Sequence, residues 1–132
     1  MEESGLISMG SHTYDMHQTD WLEGENDDLR ISAAKREDES VENYRAAFTA
    51  DHDKISKEMK KELGHDPLFF AYPLGKWTAE AEEILTEKGI RMTFITDSFV
   101  NTVTRGDESS LRLMGRYNMN EETDLAKILG IK

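Results

Sequence analysis

The amino-acid sequence predicts an α/β protein with about four mainly parallel strands and three helices. Short apolar segments alternate along the chain with longer segments in which apolar residues recur at helical spacing. Strands separated by helices indicate a parallel sheet with right-handed crossovers. The length of 132 residues predicts a single domain over residues 1–132. A closed barrel typically has about eight strands, so the pattern fits either a small open sheet or part of a larger barrel.

The first half of the chain predicts a strand, a long loop and a helix. Leu6–Ser11 is short and apolar, which is typical of a buried strand. A long stretch rich in Asp, Glu, Asn, Gly and Ser follows, and its run Glu23–Asp28 is expected to be solvated loop. A helix is predicted over Val41–Leu63, with Ser40 as its N-cap and Gly64 as its stop. The apolar face of this helix comprises Tyr44, Phe48, Ile55, Met59 and Leu63.

The second half predicts three strands and two helices. Leu68–Tyr72 and Ile90–Thr96 are expected to be buried strands, with a helix from Thr78 to Lys88 between them. Leu111–Met114 is expected to form a short fourth strand, and Glu121–Leu129 a closing helix. The residues of that last helix predicted to face inward are Leu125, Ile128 and Leu129.

Composition excludes several classes of protein. The formal net charge of −11 argues against nucleic-acid binding and disfavours an anionic membrane surface. There is no cysteine, which excludes disulfides, thiolate zinc sites and cysteine nucleophiles. No window approaches about 18 consecutive apolar residues, so no membrane span is predicted. The acidic start, Met1–Gly5, does not resemble a signal peptide, and we expect the chain to be a piece of something longer.

Polar residues that follow the first predicted strand are the strongest candidates for chemistry. His12 and His17 are five positions apart and converge only if the chain turns after His12. Two neutral imidazoles from a strand-end loop suit zinc or a similar divalent ion, which then needs a carboxylate and a water. Thr13 or Asp15 would orient an imidazole. The alternative is that both histidines are solvent-exposed or simply hydrogen-bonded.

A proline turn follows the second predicted strand. Residues 70–75 offer either a groove wall with backbone N–H groups for a developing oxyanion, or a plain turn in which Pro73 and Gly75 reverse the chain. Trp77 is either a core residue or a platform on which a sugar stacks. The residues alone leave these alternatives open.

Taken together, SHTYDMH after a strand and FFAYPLGKWTAEAEEILTEKGIRMTFIT further on resemble the polysaccharide deacetylase family (carbohydrate esterase family 4, nodulation-protein-B-like). The resemblance runs from about Met1 to Met119 and is nearest to the branch acting on poly-N-acetylglucosamine. It implies an irregular (β/α) barrel with a divalent metal, usually zinc, held by one Asp and two His. It also implies removal of acetyl groups from N-acetylated sugars, in glucosamine polymers or the peptidoglycan glycan.

The resemblance assigns roles to particular residues. His12 and His17 match the two metal histidines, and Thr13 matches the Ser/Thr that follows the first of them. Ala71–Gly75 matches the Arg-x-Pro-Tyr-Gly turn that lines the substrate groove, where the backbone N–H of Leu74 would contact the oxyanion. The residues of this region expected to bind substrate are Tyr72, Pro73 and Trp77.

Three departures from the family pattern bear on activity. The Asp-Asp motif, which supplies the base and the third ligand, would lie upstream of Met1. Ala71 replaces the arginine of the proline turn, and Leu74 replaces its tyrosine. No histidine follows His65 to match the catalytic acid, and residues 116–118 stand in that region. The expectation is the C-terminal part of a metal-dependent deacetylase, inactive by itself.

Two other readings stay open. The first is a non-catalytic carbohydrate-binding remnant of that fold, with Tyr14, Tyr72 and Trp77 as stacking surfaces. The second is a small acidic domain that acts only through protein partners. Part of a barrel would expose two sheet edges and apolar surface, so self-association or domain swapping of the chain is expected. By resemblance, the location would be extracellular or at the cell envelope.

Overall fold

The computed structural model describes residues 4–18 and 29–131, and the predicted solvated run Glu23–Asp28 lies outside them. These residues form an α/β arrangement of helices, short strands and two 3₁₀ turns. In chain order the regular elements are α1 (Val41–Leu63), β1 (Phe69–Ala71), α2 (Ala79–Glu87), β2 (Met92–Phe94) and α3 (Leu125–Leu129), with 3₁₀ turns at Pro73–Gly75 and Glu108–Leu111.

Helix α1 has the predicted bounds. The Ser40 hydroxyl accepts a hydrogen bond from the Asn43 amide, which satisfies one of the free donors of the first turn. At the other end Gly64 takes φ 84°, a left-handed conformation that glycine adopts without steric cost. No helix in the described ranges is long and apolar enough to cross a membrane.

Strands β1 and β2 are parallel neighbours connected through α2, as the alternating pattern predicts. Their register pairs Phe70 with Thr93. Single parallel bridges extend the array on both sides, from Ser11 to Phe70 and from Phe94 to Met114. The spatial order is therefore Ser11, β1, β2, Met114, and all four segments run in the same direction.

One face of this sheet carries the core. Phe70 lies edge-on to Phe48 of α1, with ring centroids 5.9 Å apart, and Phe48 stacks on Tyr44 at 5.6 Å. Helix α2 covers the same face, and its Thr78 hydroxyl accepts from the Ala81 amide as N-cap. The buried apolar residues of the cluster are Met16, Ala33, Tyr44, Phe48, Phe70, Tyr72, Ala81, Ile84, Leu85, Ile90 and Ile95.

The opposite face is open. Phe69 and Phe94 lie edge-on there with ring centroids 6.1 Å apart, and both are only partly buried. They line an apolar cavity of about 520 Å³ together with Met9, Leu68 and Met92. The Phe69 ring rests on the backbone of Gly10, where a Cβ atom would overlap it. Side chains alternate between the two faces along a strand, so Phe69 lies on the open face while its neighbour Phe70 lies in the core.

Two predicted strands are reduced to single bridges. Leu6–Ser11 was expected to be a buried strand, but Leu6 is 88% exposed and only Ser11 pairs with β1. The other, Leu111–Met114, pairs with β2 only at Met114, because a 3₁₀ turn occupies its start and Leu113 takes φ 53°. Left-handed backbone cannot continue a strand. Of the about four mainly parallel strands predicted, the described residues thus form two strands and two single bridges, all of them parallel.

The closing helix is shorter than predicted. It starts at Leu125, where the Asp124 carboxylate caps the Lys127 amide, rather than at Glu121. The prediction that its apolar side faces inward is also wrong, since Leu125 and Leu129 are both more than half exposed. Apolar periodicity defines a face on a helix but does not supply the surface against which that face packs.

Candidate metal centre and active-site edge

The carboxyl ends of the four parallel segments lie along one edge of the sheet. His12 follows the Ser11 bridge, and the Pro73–Gly75 turn follows β1. Thr96 follows β2, and Arg116 follows the Met114 bridge. This edge is where chemistry is expected in open α/β sheets, because loops from several strands meet there.

A tight turn after His12 brings the two predicted metal histidines together. Thr13 takes φ 73°, and its hydroxyl accepts a hydrogen bond from the Met16 amide at 3.2 Å. Met16 is buried in the core, which fastens the loop between the histidines. The ring centroids of His12 and His17 are 5.2 Å apart, with the planes at 81°. The two imidazoles thus lie as close together as a shared metal site would require of this loop.

Each imidazole is oriented by a backbone carbonyl. Nδ1 of His12 lies 2.6 Å from the carbonyl oxygen of Ala71, and Nδ1 of His17 lies 3.2 Å from that of Ile31. A carbonyl oxygen only accepts, so each Nδ1 donates and each Nε2 keeps its lone pair. Ile31 is held near His17 because the Gln18 amide donates to the Arg30 carbonyl at 2.9 Å.

This arrangement fits a divalent metal ion as two of its ligands. Metal-binding imidazoles commonly donate their second N–H to a carbonyl or carboxylate, which fixes the tautomer and leaves the other nitrogen to bind. His12 and His17 meet that requirement with backbone carbonyls, rather than with Thr13 or Asp15 as expected. Within residues 4–18 and 29–131 no group of three or more His, Cys, Asp or Glu side chains is placed to hold an ion. Among the described residues, His12 and His17 are therefore the candidates for binding such an ion.

Asp51 of α1, which sequence reasoning missed, holds the loop between the two histidines. Its carboxylate accepts from the Tyr14 amide at 2.8 Å and from the Asp15 amide at 2.7 Å. The residue is only 7% exposed. A signal was present in the sequence, because Asp51 is three positions from Phe48 and four from Ile55, on the apolar side of the helix.

The proline turn presents one backbone amide at the same edge. The amides of Gly75 and Lys76 donate to the carbonyls of Tyr72 and Pro73, and proline has no amide hydrogen. Among the described residues no acceptor contacts the amide of Leu74, which has φ 56° and is 52% exposed. The turn thus keeps the donor that the resemblance assigns to the oxyanion.

Close packing against the next strand end fixes the position of this turn. Gly75 takes φ 67°, and a Cβ atom added to it would lie 2.7 Å from the backbone nitrogen of Thr96. The Thr96 hydroxyl lies 3.4 Å from the carbonyl oxygen of Leu74, to which it donates. Only glycine fits between these two strand ends.

Tyr72 and Pro73 were expected to line the substrate groove, but both side chains are buried. The Tyr72 hydroxyl donates to the Glu82 carboxylate at 2.6 Å, and the Arg112 guanidinium donates to the same carboxylate at 2.7 Å. Burial, followed by the hydrogen bond to Glu82, raises the pKa of Tyr72. The Tyr72 ring is a core residue beside a partly buried ion pair, so it cannot stack on a sugar.

Two other aromatic side chains remain accessible. Trp77 is 44% exposed just after the proline turn, and Tyr14 is more than half exposed in the histidine loop. The Lys54 ammonium lies 5.5 Å from the centroid of the Tyr14 ring. A separate cleft of about 410 Å³ at the strand ends is lined by Thr96, Arg116, Tyr117 and Asn118.

These features define a class of protein: an α/β sheet with a pair of oriented histidines and a proline turn at its carboxyl edge. A family model described as polysaccharide deacetylase matches residues 1–93. The chain therefore belongs to the polysaccharide deacetylase family, as its motifs predict. No curated protein gives a significant match.

Two solved structures share the fold. One is described as IcaB from Ammonifex degensii, with a TM-score of 0.67, 24% identity, and coverage of 92% of this chain and 45% of that chain. The other is a de-N-acetylase from Aggregatibacter actinomycetemcomitans, with a TM-score of 0.69, 21% identity, and coverage of 99% and 50%. The chain thus spans about half the length of these structures.

Proposed function

We propose that residues 1–132 are the histidine-bearing part of a metal-dependent polysaccharide deacetylase that hydrolyses the acetamide of N-acetylated sugars. The observation that carries the proposal is the close approach of the two imidazoles. The Nδ1–H group of each ring donates a hydrogen bond to a backbone carbonyl. Family membership supports the reaction class. By the resemblance, the third ligand and the general base belong to an Asp-Asp motif upstream of the histidine motif, so we expect residues 1–132 by themselves to be inactive.

The chain's own residues would contribute binding and orientation. His12 and His17 would hold a divalent ion, zinc in the first instance, through Nε2. Such an ion, when bound, polarises an amide carbonyl and lowers the pKa of a bound water. The backbone N–H of Leu74 would donate to the oxygen on which negative charge develops. Since that donor belongs to a turn packed on Thr96, it needs no reorganisation during the reaction.

The substrate class proposed is an N-acetylated polysaccharide, either a polymer of N-acetylglucosamine or the peptidoglycan glycan. Trp77 and Tyr14 offer partly exposed aromatic faces on which sugar rings stack. Substrates of this kind lie outside the cell membrane, so an extracellular or envelope location accompanies the proposal.

Zinc titration tests the metal site directly. Calorimetry on the purified chain should detect binding that weakens tenfold or more in His12→Ala and in His17→Ala, because each variant removes one of two ligands. His65→Ala is the matched control, since this histidine is exposed in a turn before Pro67. Equal zinc affinity in all four proteins would contradict the proposed metal site. Rapid acetate release from N-acetylglucosamine oligomers by this chain alone would contradict the expectation that it is inactive by itself.

A second candidate function is a carbohydrate-binding remnant without catalysis. The exposure of Trp77 and Tyr14 favours it, together with the presence of only two oriented ligands in the described part of the chain. It predicts oligosaccharide binding that a chelator leaves unchanged and that weakens in Trp77→Ala. It also predicts no turnover when the missing half is restored.

A further inference from the structure

A buried carboxylate in the middle of α1 faces the histidine loop. Asp51 is the eleventh residue of the 23-residue helix, so it is not a terminal cap. Both of its oxygens accept hydrogen bonds from consecutive backbone amides, those of Tyr14 and Asp15. Burying a carboxylate costs free energy unless hydrogen bonds replace its hydration, and these two bonds do so.

The two amides lie between the metal-binding histidines. Tyr14 is two residues after His12, and Asp15 is two residues before His17. Holding both peptide units against one rigid helix fixes the course of the chain between the two rings. Bonds to an ionised acceptor are shorter and stronger than neutral ones, which suits an anchor for a loop with a left-handed residue at Thr13.

We propose that Asp51 is a positioning residue for the metal site: its carboxylate holds the Tyr14–Asp15 backbone so that His12 and His17 point their Nε2 atoms at one ion. The proposal rests on the metal-binding function proposed above. It adds a link between α1 and the site that neither histidine makes, because the imidazole hydrogen bonds run to Ala71 and Ile31.

Asp51→Asn is the test variant, and Asp53→Asn is its matched control. An asparagine keeps the size of the side chain, but the amides of Tyr14 and Asp15 donate to different oxygens of Asp51, so an NH₂ group would face one of them. Asp53 is on the same helix and loses the same charge in its variant. In the described structure it accepts a hydrogen bond from the Lys88 ammonium at 2.6 Å, in a partly exposed ion pair. Zinc affinity is measured by calorimetry, and amide exchange of Tyr14 and Asp15 by NMR.

We expect zinc affinity to fall by about 10- to 100-fold in Asp51→Asn and to stay within twofold of wild type in Asp53→Asn. Amide exchange at Tyr14 and Asp15 should accelerate only in Asp51→Asn. Wild-type affinity in a folded Asp51→Asn overturns the inference but leaves the proposed function standing. Absence of histidine-dependent zinc binding in the wild type overturns both.

If Asp51→Asn fails to fold, the wild-type protein still decides. Slow exchange of the Tyr14 and Asp15 amides that becomes slower with zinc supports the inference, because the anchored backbone and the metal site then respond together. Exchange of these two amides as fast as that of an unprotected loop overturns it.

Discussion

The two faces of the sheet differ although they are built from adjacent residues. Phe70 is fully buried against Phe48 and the helices, whereas Phe69, its neighbour, lies on an apolar cavity of about 520 Å³. Parallel sheets normally have both faces covered, because their crossover helices pack on each side. Here α1 and α2 pack on one face, and the described residues leave the other open.

The two faces contribute differently to the structure. The helix-covered face holds the core and, through α1, the anchor of the histidine loop. The open face is apolar, like a protein interior, but no helix in the described part of the chain packs on it. The solved structures that share the fold are about twice as long as this chain.

The largest effect on stability is expected from truncating a side chain on the buried face. Phe70→Ala should lower the free energy of unfolding by about 3–5 kcal/mol. The void left by the Phe70 ring would be surrounded by aromatic rings that cannot move in to fill it. Phe69→Ala should cost about 1 kcal/mol, because its ring is already partly exposed. Urea unfolding followed by circular dichroism measures both, and equal losses would remove the distinction between the faces.

The next effect concerns association through the open face and the sheet edges. We expect wild-type protein to form dimers or larger species as its concentration rises, because apolar surface and unpaired strand edges are both available. Met92→Lys should weaken this association about tenfold, by placing a charge on the open face. Leu129→Lys, an exposed change on α3, should not.

Sedimentation velocity at increasing concentration distinguishes these cases. The net charge of −11 opposes association, so added salt should strengthen it in the wild type. A wild-type protein that remains monomeric at high concentration and high salt would contradict the prediction.

The smallest expected effect is a loss of stability at acid pH that depends on the buried side chain of His52. His52 is 2% exposed, its Nε2 lies 3.2 Å from the Ser56 hydroxyl, and its Nδ1 has no partner in the described part of the chain. Burial lowers the pKa of His52 below the ordinary value of 6.5. The unfolded chain therefore binds the proton more readily, and stability should fall as the pH drops below about 6.5.

His52→Gln should flatten this decline without changing the slope above pH 7, where the histidine is neutral in both states. His65→Gln, at an exposed position, should keep the wild-type profile. Urea midpoints between pH 5 and 8 provide the comparison, and a slope unchanged by His52→Gln would show that other groups govern the acid sensitivity.

Several features of the site followed from the sequence alone. The spacing of His12 and His17 required a turn, and the structure supplies it at Thr13. The Pro73–Gly75 turn was also predictable, since proline and glycine restrict the backbone locally. Tyr72 was misassigned because a tyrosine at a strand end serves equally as core or as groove wall, and only its bond to Glu82 decides.

The sequence by itself determined the helices α1 and α2, their caps and the family motifs, because each depends on residues within a few positions of one another. The alternation of strands and helices along the chain predicted a parallel sheet. The tertiary structure alone decided which carbonyls orient the histidines, that Asp51 anchors their loop, and that two predicted strands shrink to bridges. Those contacts join residues that are 14 to 59 positions apart. Such pairings depend on how the elements pack, which no local pattern specifies.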